Sequence, residues 1–289
     1  MKIYVSGEDH LTFVFEADMS LQANLRAIRI GQALTARQVD GLVECYPTNT
    51  SLMVRFDTDL HQPGDVVAIV QNAVQAIDRL EAPALRSRVI GIPTWFDDPV
   101  TRACQEQFAS FRRDPNIDDL TYCARVNGLS GKEEMIDRFA GAPWIVSASG
   151  FYPGCFEGFQ LVDPSRQLTT PKYVSPRLHT PERTVGQAGC FAGIYPYASA
   201  GGYQMLGRAA GPIYQPDGNL ADFSEGPALL KAGDIIVFQP IDEQTFTALE
   251  GEVERGTFRY RISQVEFSLD DIETDPAGVS LRIRKSVDN

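Results

Sequence analysis

The sequence predicts an α+β protein. A small N-terminal α+β sandwich (residues 1–82) is followed by a β-rich unit (86–289) with a helical insertion at about 99–140. Three observations predict this. The first 82 residues alternate strand and helix periods in the order strand–strand–helix–strand–strand–helix. Helical apolar stripes then interrupt the chain after one further strand. From Pro143 onward, short apolar runs are broken by Gly and Pro, a pattern that suits a closed barrel or a sandwich.

Each element has its own reason. Ile3-Tyr4-Val5 and Leu11–Phe15 read as short strands around Gly7. Leu21, Leu25 and Ile28 recur at helical spacing behind Ser20, a good N-cap. Leu42–Tyr46 and Leu52–Phe56 read as a hairpin about Pro47-Thr48-Asn49. Val66, Val70, Ala73, Ile77 and Leu80 make a helical stripe after Pro63-Gly64. This order suggests helices on one face of a sheet. Asp57 and Asp59 read as a solvated turn.

Glu81-Ala82-Pro83 reads as a boundary, and Val89–Trp95 as a strand. In the insertion, Val100, Cys104, Phe108 and Phe111 share a helical face. A second helix spans about Asp118–Val126 and stops at Asn127-Gly128. A third carries Met135, Ile136 and Phe139. The strands expected beyond are Trp144–Ser149, Val185–Ala192, Tyr203–Gly207, Ile235–Phe238, Thr257–Ser263 and Val279–Arg284. The acidic positions Asp270, Asp271 and Asp275 read as solvated surface.

Composition narrows the function. A formal net charge of −12 disfavours nucleic acid and anionic membranes as partners. No apolar run approaches the roughly 20 residues of a membrane span. The N-terminus lacks a signal-peptide pattern, so a cytoplasmic location is expected. The five cysteines (Cys45, Cys104, Cys123, Cys155 and Cys190) are odd in number and scattered, which suits buried reduced thiols. With His10, His61 and His179 far apart, no metal site is expected.

The segment Thr169–Arg208 stands out against the acidic background. Lys172, Arg177, Arg183, Arg208 and His179 have only Glu182 as a nearby carboxylate in sequence, and glycines crowd its second half. Cations suit an anionic ligand, and glycine lets a ligand approach the backbone. Lys172, Tyr173 and Arg177 form the leading anion-binding group: Arg can grip a carboxylate with two parallel hydrogen bonds, and Lys acts as a point charge. Gly201-Gly202-Tyr203-Gln204 with Arg208 form a second group. Tyr203 and Gln204 each offer donor and acceptor capacity to a ligand. Gly150-Phe-Tyr-Pro-Gly154, with Pro153, reads as a tight turn that shapes a mouth for substrate. The chain lacks GxGxxG and GxxxxGK[ST], so ATP is not expected to bind here by a P-loop. No nucleophile–base triad is supported, and no Met-Lys biotin-attachment motif is present.

The ordered motifs Thr169-Thr170-x-Lys172-Tyr173, Pro176-Arg177, Thr180-Pro181-Glu182, Val185-Gly186, Gly193-Ile194-Tyr195 and Gly201-Gly202-Tyr203-Gln204-x-x-Gly207-Arg208 resemble the allophanate hydrolase subunit 1 family. That family is the C-and-D half of the carboxyltransferase domain of urea carboxylase. It also includes the B subunit of 5-oxoprolinase and the Kip-type kinase inhibitor. Gly150-Phe151-x-Pro153-Gly154 and Gly233-Asp234-Ile235 are similar too, and Arg125-Val126-Asn127-Gly128-Leu129 resembles urea carboxylase in the insertion. The sequence departs from the family pattern at Phe156, one place later than usual, and at Ala200, where relatives commonly have Pro.

The resemblance implies a cyclophilin-like β-barrel. It implies one half of a biotin-dependent carboxyltransferase acting on a urea-like amide and completed by a subunit 2 type partner. Carboxybiotin would arrive on another protein, with a biotin carboxylase or carrier as a further partner, and ATP would be used by the complex. Lys172, Arg177 and Arg208 would then be catalytic cations. Tyr173, Tyr195, Gly201, Gly202, Tyr203, Gln204 and Pro153 would bind substrate. The B subunit of an ATP-dependent 5-oxoprolinase and a Kip-like inhibitor of a histidine kinase stand as alternatives. In the enzyme readings the isolated chain is expected to be inactive.

Overall fold

The computed structural model describes residues 1–79 and 84–288. The chain begins with β1 (Lys2–Val5), β2 (His10–Val14), α1 (Leu21–Arg37), β3 (Leu42–Pro47), β4 (Ser51–Phe56) and α2 (Pro63–Asp78). The four strands form an antiparallel sheet in the order β1-β2-β4-β3. Alternation in β2 and β4 turns Leu11, Phe13, Leu52, Val54 and Phe56 toward the helices. There they pack with Ile30 and Leu34 of α1 and with Val66, Val70 and Ala73 of α2. Ser20 caps α1 by accepting from the Ala23 amide, and Pro63 opens α2. The expected order and hairpin are therefore present. Leu80 and the expected boundary Glu81-Ala82-Pro83 lie outside the described residues.

The α1 helix buries a second face. Leu25 and Ile28 pack with Val89, Ile145, Ile235 and Phe267 of the following strands. The buried Asn24 donates to Thr48 O at 3.1 Å and to Ser147 O at 2.8 Å. One side chain thus ties the β3–β4 turn to the second sheet.

The second sheet opens with β5 (Leu85–Phe96), followed by α3 (Pro99–Gln107), α4 (Asp119–Val126) and α5 (Lys132–Ala140). Then come β6 (Trp144–Ser149), β7 (Phe156–Gln160), β8 (Arg177–Thr180), β9 (Thr184–Ala188), β10 (Phe191–Ile194), β11 (Ser199–Gly201) and β12 (Gln204–Ala209). The chain ends with β13 (Ile235–Pro240), α6 (Glu243–Glu254), β14 (Arg261–Phe267), α7 (Leu269–Thr274) and α8 (Pro276–Lys285). The strand order is β12-β9-β10-β7-β6-β13-β5-β14, and an additional β12–β5 pairing closes seven strands into a barrel. The 12-residue β5 makes closure possible. Its start pairs with β14 (Leu85↔Phe267), its length runs parallel to β13, and its end pairs with β12 (Phe96↔Gly207). Ile90, Ile92, Trp144, Val146, Val185, Ile194, Leu206 and Phe238 fill the interior with Phe139 of α5. The barrel is a packed core rather than a pore. β8 and β11 form a separate two-stranded ribbon.

Several expectations are corrected. Val185–Ala192 is two strands, because Gly189 (φ 54°) turns the chain between β9 and β10. The strand expected at Thr257–Ser263 starts at Arg261 and runs to Phe267. Val279–Arg284 is helical, inside α8. Its V-S-L-R-I-R alternation has a strand period, yet the buried residues are Val279, Ile283 and Val287, four apart, while Leu281 is 50% exposed. Val100 leaves the α3 face and is exposed, whereas Cys104 and Phe108 pack on Met205. Asp270, Asp271 and Asp275 are exposed as expected, and Asp271 and Asp275 also cap α7 and α8. β7, β8, β11, α6 and α7 have no counterpart among the expected elements.

Candidate functional site

At one end of the barrel lies a cleft of about 740 Å3. It is lined by the β6–β7 connection (Ser149, Gly150, Phe151, Tyr152), the segment before β8 (Lys172, Tyr173, Pro176), the end of β11 (Gly201, Gly202, Tyr203), Tyr195, and the β3–β4 turn (Thr48, Asn49). The only charged groups among these linings are Lys172 and Glu157.

Local folding explains how the walls are set. Phe151 takes φ 75°, unusual for a non-glycine residue, and is 93% exposed at the rim. That turn throws Tyr152 inward, where its hydroxyl meets Ser199 Oγ at 3.2 Å. Gly201 is required by close approach: a Cβ there would stand 2.0 Å from the Tyr195 hydroxyl. The Tyr173 amide donates to Gly202 O at 2.9 Å, which fastens the Lys172 segment to the glycine pair.

Lys172 is exposed on the cleft wall, with its ammonium 5.3 Å from the Tyr203 ring centroid. Among the described residues it makes no ion pair with a carboxylate. Glu157 accepts a hydrogen bond from Asn49 Nδ2 at 2.7 Å. Burial pushes the Tyr152 hydroxyl up to about 12 and also raises Tyr195 and Tyr203, so these phenols stay protonated and can donate. Burial raises the Cys155 thiol as well, which removes thiolate character from the one cysteine in the cleft.

Behind this wall sits a buried layer. Arg177 is fully buried, with its guanidinium 4.2 Å from the Tyr173 ring centroid. Its Nε donates to Thr180 Oγ1 at 3.2 Å, its Nη2 lies 3.5 Å from the Tyr195 hydroxyl, and Nη1 has no partner among the described residues. The Tyr173 hydroxyl donates to both oxygens of Asp119, at 2.9 and 2.8 Å, and the Met205 amide donates to the same carboxylate at 2.7 Å. Burial pushes Asp119 up to about 6 despite those donors. The helical insertion, through α4, thus orients a tyrosine of the cleft.

The expected site residues divide in two. Lys172, Tyr173, Tyr195, Gly201, Gly202 and Tyr203 line one cleft together. Arg177 stands behind it. Gln204 is buried and donates to Pro171 O at 2.8 Å, and Pro153 lies in the rim turn without lining the cleft. Arg208 is elsewhere: its Nε donates to the buried Asp98 at 3.1 Å, and it lies 4.9 Å from the Phe246 ring centroid. The sequence pattern does not single out Tyr152, Glu157, Thr48 or Asn49 as site residues. Glu157 sits just past the Pro153-Gly154 turn, a local signal. Thr48 and Asn49 reach the cleft only through tertiary packing.

Among the described residues, no group of three or more His, Cys, Asp or Glu could hold a metal ion, and no helix is long and apolar enough to cross a membrane.

Residues 1–222 match the profile of the carboxyltransferase domain, subdomain C and D, and the chain belongs to that family. The B subunit of 5-oxoprolinase from Bacillus subtilis is 27% identical over 255 residues, 85% of this chain and 95% of that protein. Urea amidolyase of Saccharomyces cerevisiae is 27% identical over 275 residues, 92% of this chain but only 15% of that protein. The urea carboxylase structure from Kluyveromyces lactis matches 99% of this chain and 26% of its own at a TM-score of 0.78. With 19% identity, that likeness is one of fold.

Proposed function

We propose that this chain is one half of a heteromeric carboxyltransferase site of the urea carboxylase type, acting on a urea-like amide with a subunit 2 type partner. One observation carries the reading. The cleft joins a lysine with no ion pair among the described residues, neutral tyrosine donors and a glycine-walled opening, and its linings include no nucleophile–base pair. Such a surface binds and polarises more readily than it completes a reaction, which suits a half-site. Lys172 would hold a transferable carboxylate as a point charge. Tyr152, Tyr195 and Tyr203 would place hydroxyl donors where negative charge develops. Arg177 would act behind them as a positioning residue. Carboxybiotin, carried in on another protein, would supply the activated carboxyl group. ATP would be consumed elsewhere in the complex. A cytoplasmic setting fits the five free cysteines.

A second reading is the B subunit of an ATP-dependent 5-oxoprolinase, favoured by the match along 95% of the Bacillus subtilis relative. Purifying the chain with its subunit 2 partner separates the two. Carboxylation of urea that depends on a biotin carboxylase supports the first. ATP hydrolysis that depends on 5-oxoproline and needs no biotin protein supports the second.

A further inference from the structure

We infer that the Glu157 carboxylate, held by Asn49, is the end of the cleft that recognises substrate N–H groups, so that the cleft selects neutral amides and ureides with a free N–H. This rests on reading the cleft as the amide site.

The cleft is bipolar. Lys172 lies over one face of Tyr203, and the charge of Glu157 also acts on the Tyr203 hydroxyl, helping to raise it after burial. Both charged groups line the cleft, and they do not pair with each other. A ligand with no net charge, an N–H at one end and a carbonyl at the other, matches that polarity. A dianion would meet Glu157 unfavourably.

The Glu157 end is built rather than incidental. Its Oε2 accepts from Asn49 Nδ2, which leaves Oε1 without a protein donor among the described residues. Asn49 Oδ1 is buried and has no partner among them either. The Asn49 oxygen is enclosed, so the acceptor open to ligand N–H groups in the cleft is Glu157 Oε1. The turn that carries Asn49 is anchored on both sides. Asn24 grips Thr48 O beside it and Ser147 O on β6, and Ser147 Oγ donates to the Glu157 carbonyl at 3.0 Å. The N-terminal sheet therefore supplies part of the recognition end, through a contact that spans 108 residues.

The test uses the full-length chain, with 2-imidazolidinone (a cyclic urea with two N–H groups) and its 1,3-dimethyl analogue as probes, followed by ligand-observed NMR. The parent probe should bind the wild type at least about tenfold more tightly than the dimethyl probe, as expected for loss of hydrogen bonds to a charged acceptor. Glu157→Ala should lose about tenfold or more for the parent and change little for the dimethyl probe. Glu157→Gln should fall between, and Asn49→Ala should weaken the parent selectively. Tyr203→Phe should weaken both probes. If the two probes bind the wild type equally well while Tyr203→Phe or Lys172→Ala weakens them, the cleft reading stands and this inference fails. If neither probe binds the wild type up to millimolar concentration, both fail. The wild-type comparison needs no variant, so a misfolded mutant cannot decide the outcome.

Discussion

Two cations of one glycine-rich segment take opposite fates. Lys172 stays exposed and without an ion pair among the described residues, while Arg208 is spent on Asp98, a fully buried carboxylate that also caps α3. Their mutants should separate cleanly. Lys172→Ala is expected to leave thermal melting near wild type and to lower turnover of the assembled enzyme about 30- to 1000-fold, the scale of a lost charge-stabilising contact. Arg208→Ala is expected to cost roughly 3–5 kcal/mol in chemical denaturation, because it strands a buried charge. Full stability of Arg208→Ala, with loss of turnover alone, would return that residue to the site. Asp119 gives a pH test. Its ordinary value of 3.8 is raised to about 6 in the fold, so the unfolded chain ionises first as pH rises. Stability should then decline between pH 3.8 and about 6 and level off above, by up to roughly 3 kcal/mol at about 1.4 kcal/mol per unit. Asp119→Asn, followed by denaturation at pH 4 and pH 7, should flatten that slope; an unchanged slope would place the proton elsewhere. Lys172 and the glycine pair are legible in the sequence because their segment is contiguous. Glu157 and Asn49 are not, because only the docked turn brings them together.

Among the elements, those with a local signature are readable. Ser20, Asp118 and Asn127-Gly128 mark helix ends by chemistry that acts within a few residues, and each falls at or beside an end of α1 or α4. Elements defined by tertiary context are not. α8 carries a strand-like alternation and becomes a helix because Asp275 and Pro276 start it and the second core takes residues four apart. Burial of β7 depends on alternate residues Phe156, Gly158 and Gln160, too short a pattern to stand out beside a turn. The β8–β11 ribbon tests how tightly an element is tuned to the cleft. Gly201→Ala should push against the Tyr195 hydroxyl, shifting the ribbon or the ring. We expect weaker binding of the cyclic urea probe with only modest loss of stability; unaltered probe binding would show that the glycine serves the backbone alone.

For the whole molecule, the order of the parts is readable in the sequence, but how they share a site is not. The barrel holds most of the cleft, the N-terminal sheet adds a turn, and the helical insertion braces Tyr173 through Asp119. The cysteines lie outside this arrangement as chemistry: Cys123 and Cys104 are buried, and burial raises both thiols. Replacing all five by Ser or Ala should lower stability, since buried thiols pack as small apolar groups, and leave turnover of the assembled enzyme within a few-fold.

A half-site should be inert until its other half is present. The decisive measurement is turnover of the purified chain alone and again after assembly with a subunit 2 partner, a biotin carboxylase and its biotin carrier protein, with urea and 5-oxoproline each supplied as substrate. The half-site reading gives no turnover by the chain alone and substrate-dependent ATP consumption by the complex, abolished or greatly reduced by Lys172→Ala. Comparable turnover by the chain alone, or a complex indifferent to Lys172→Ala, would contradict it.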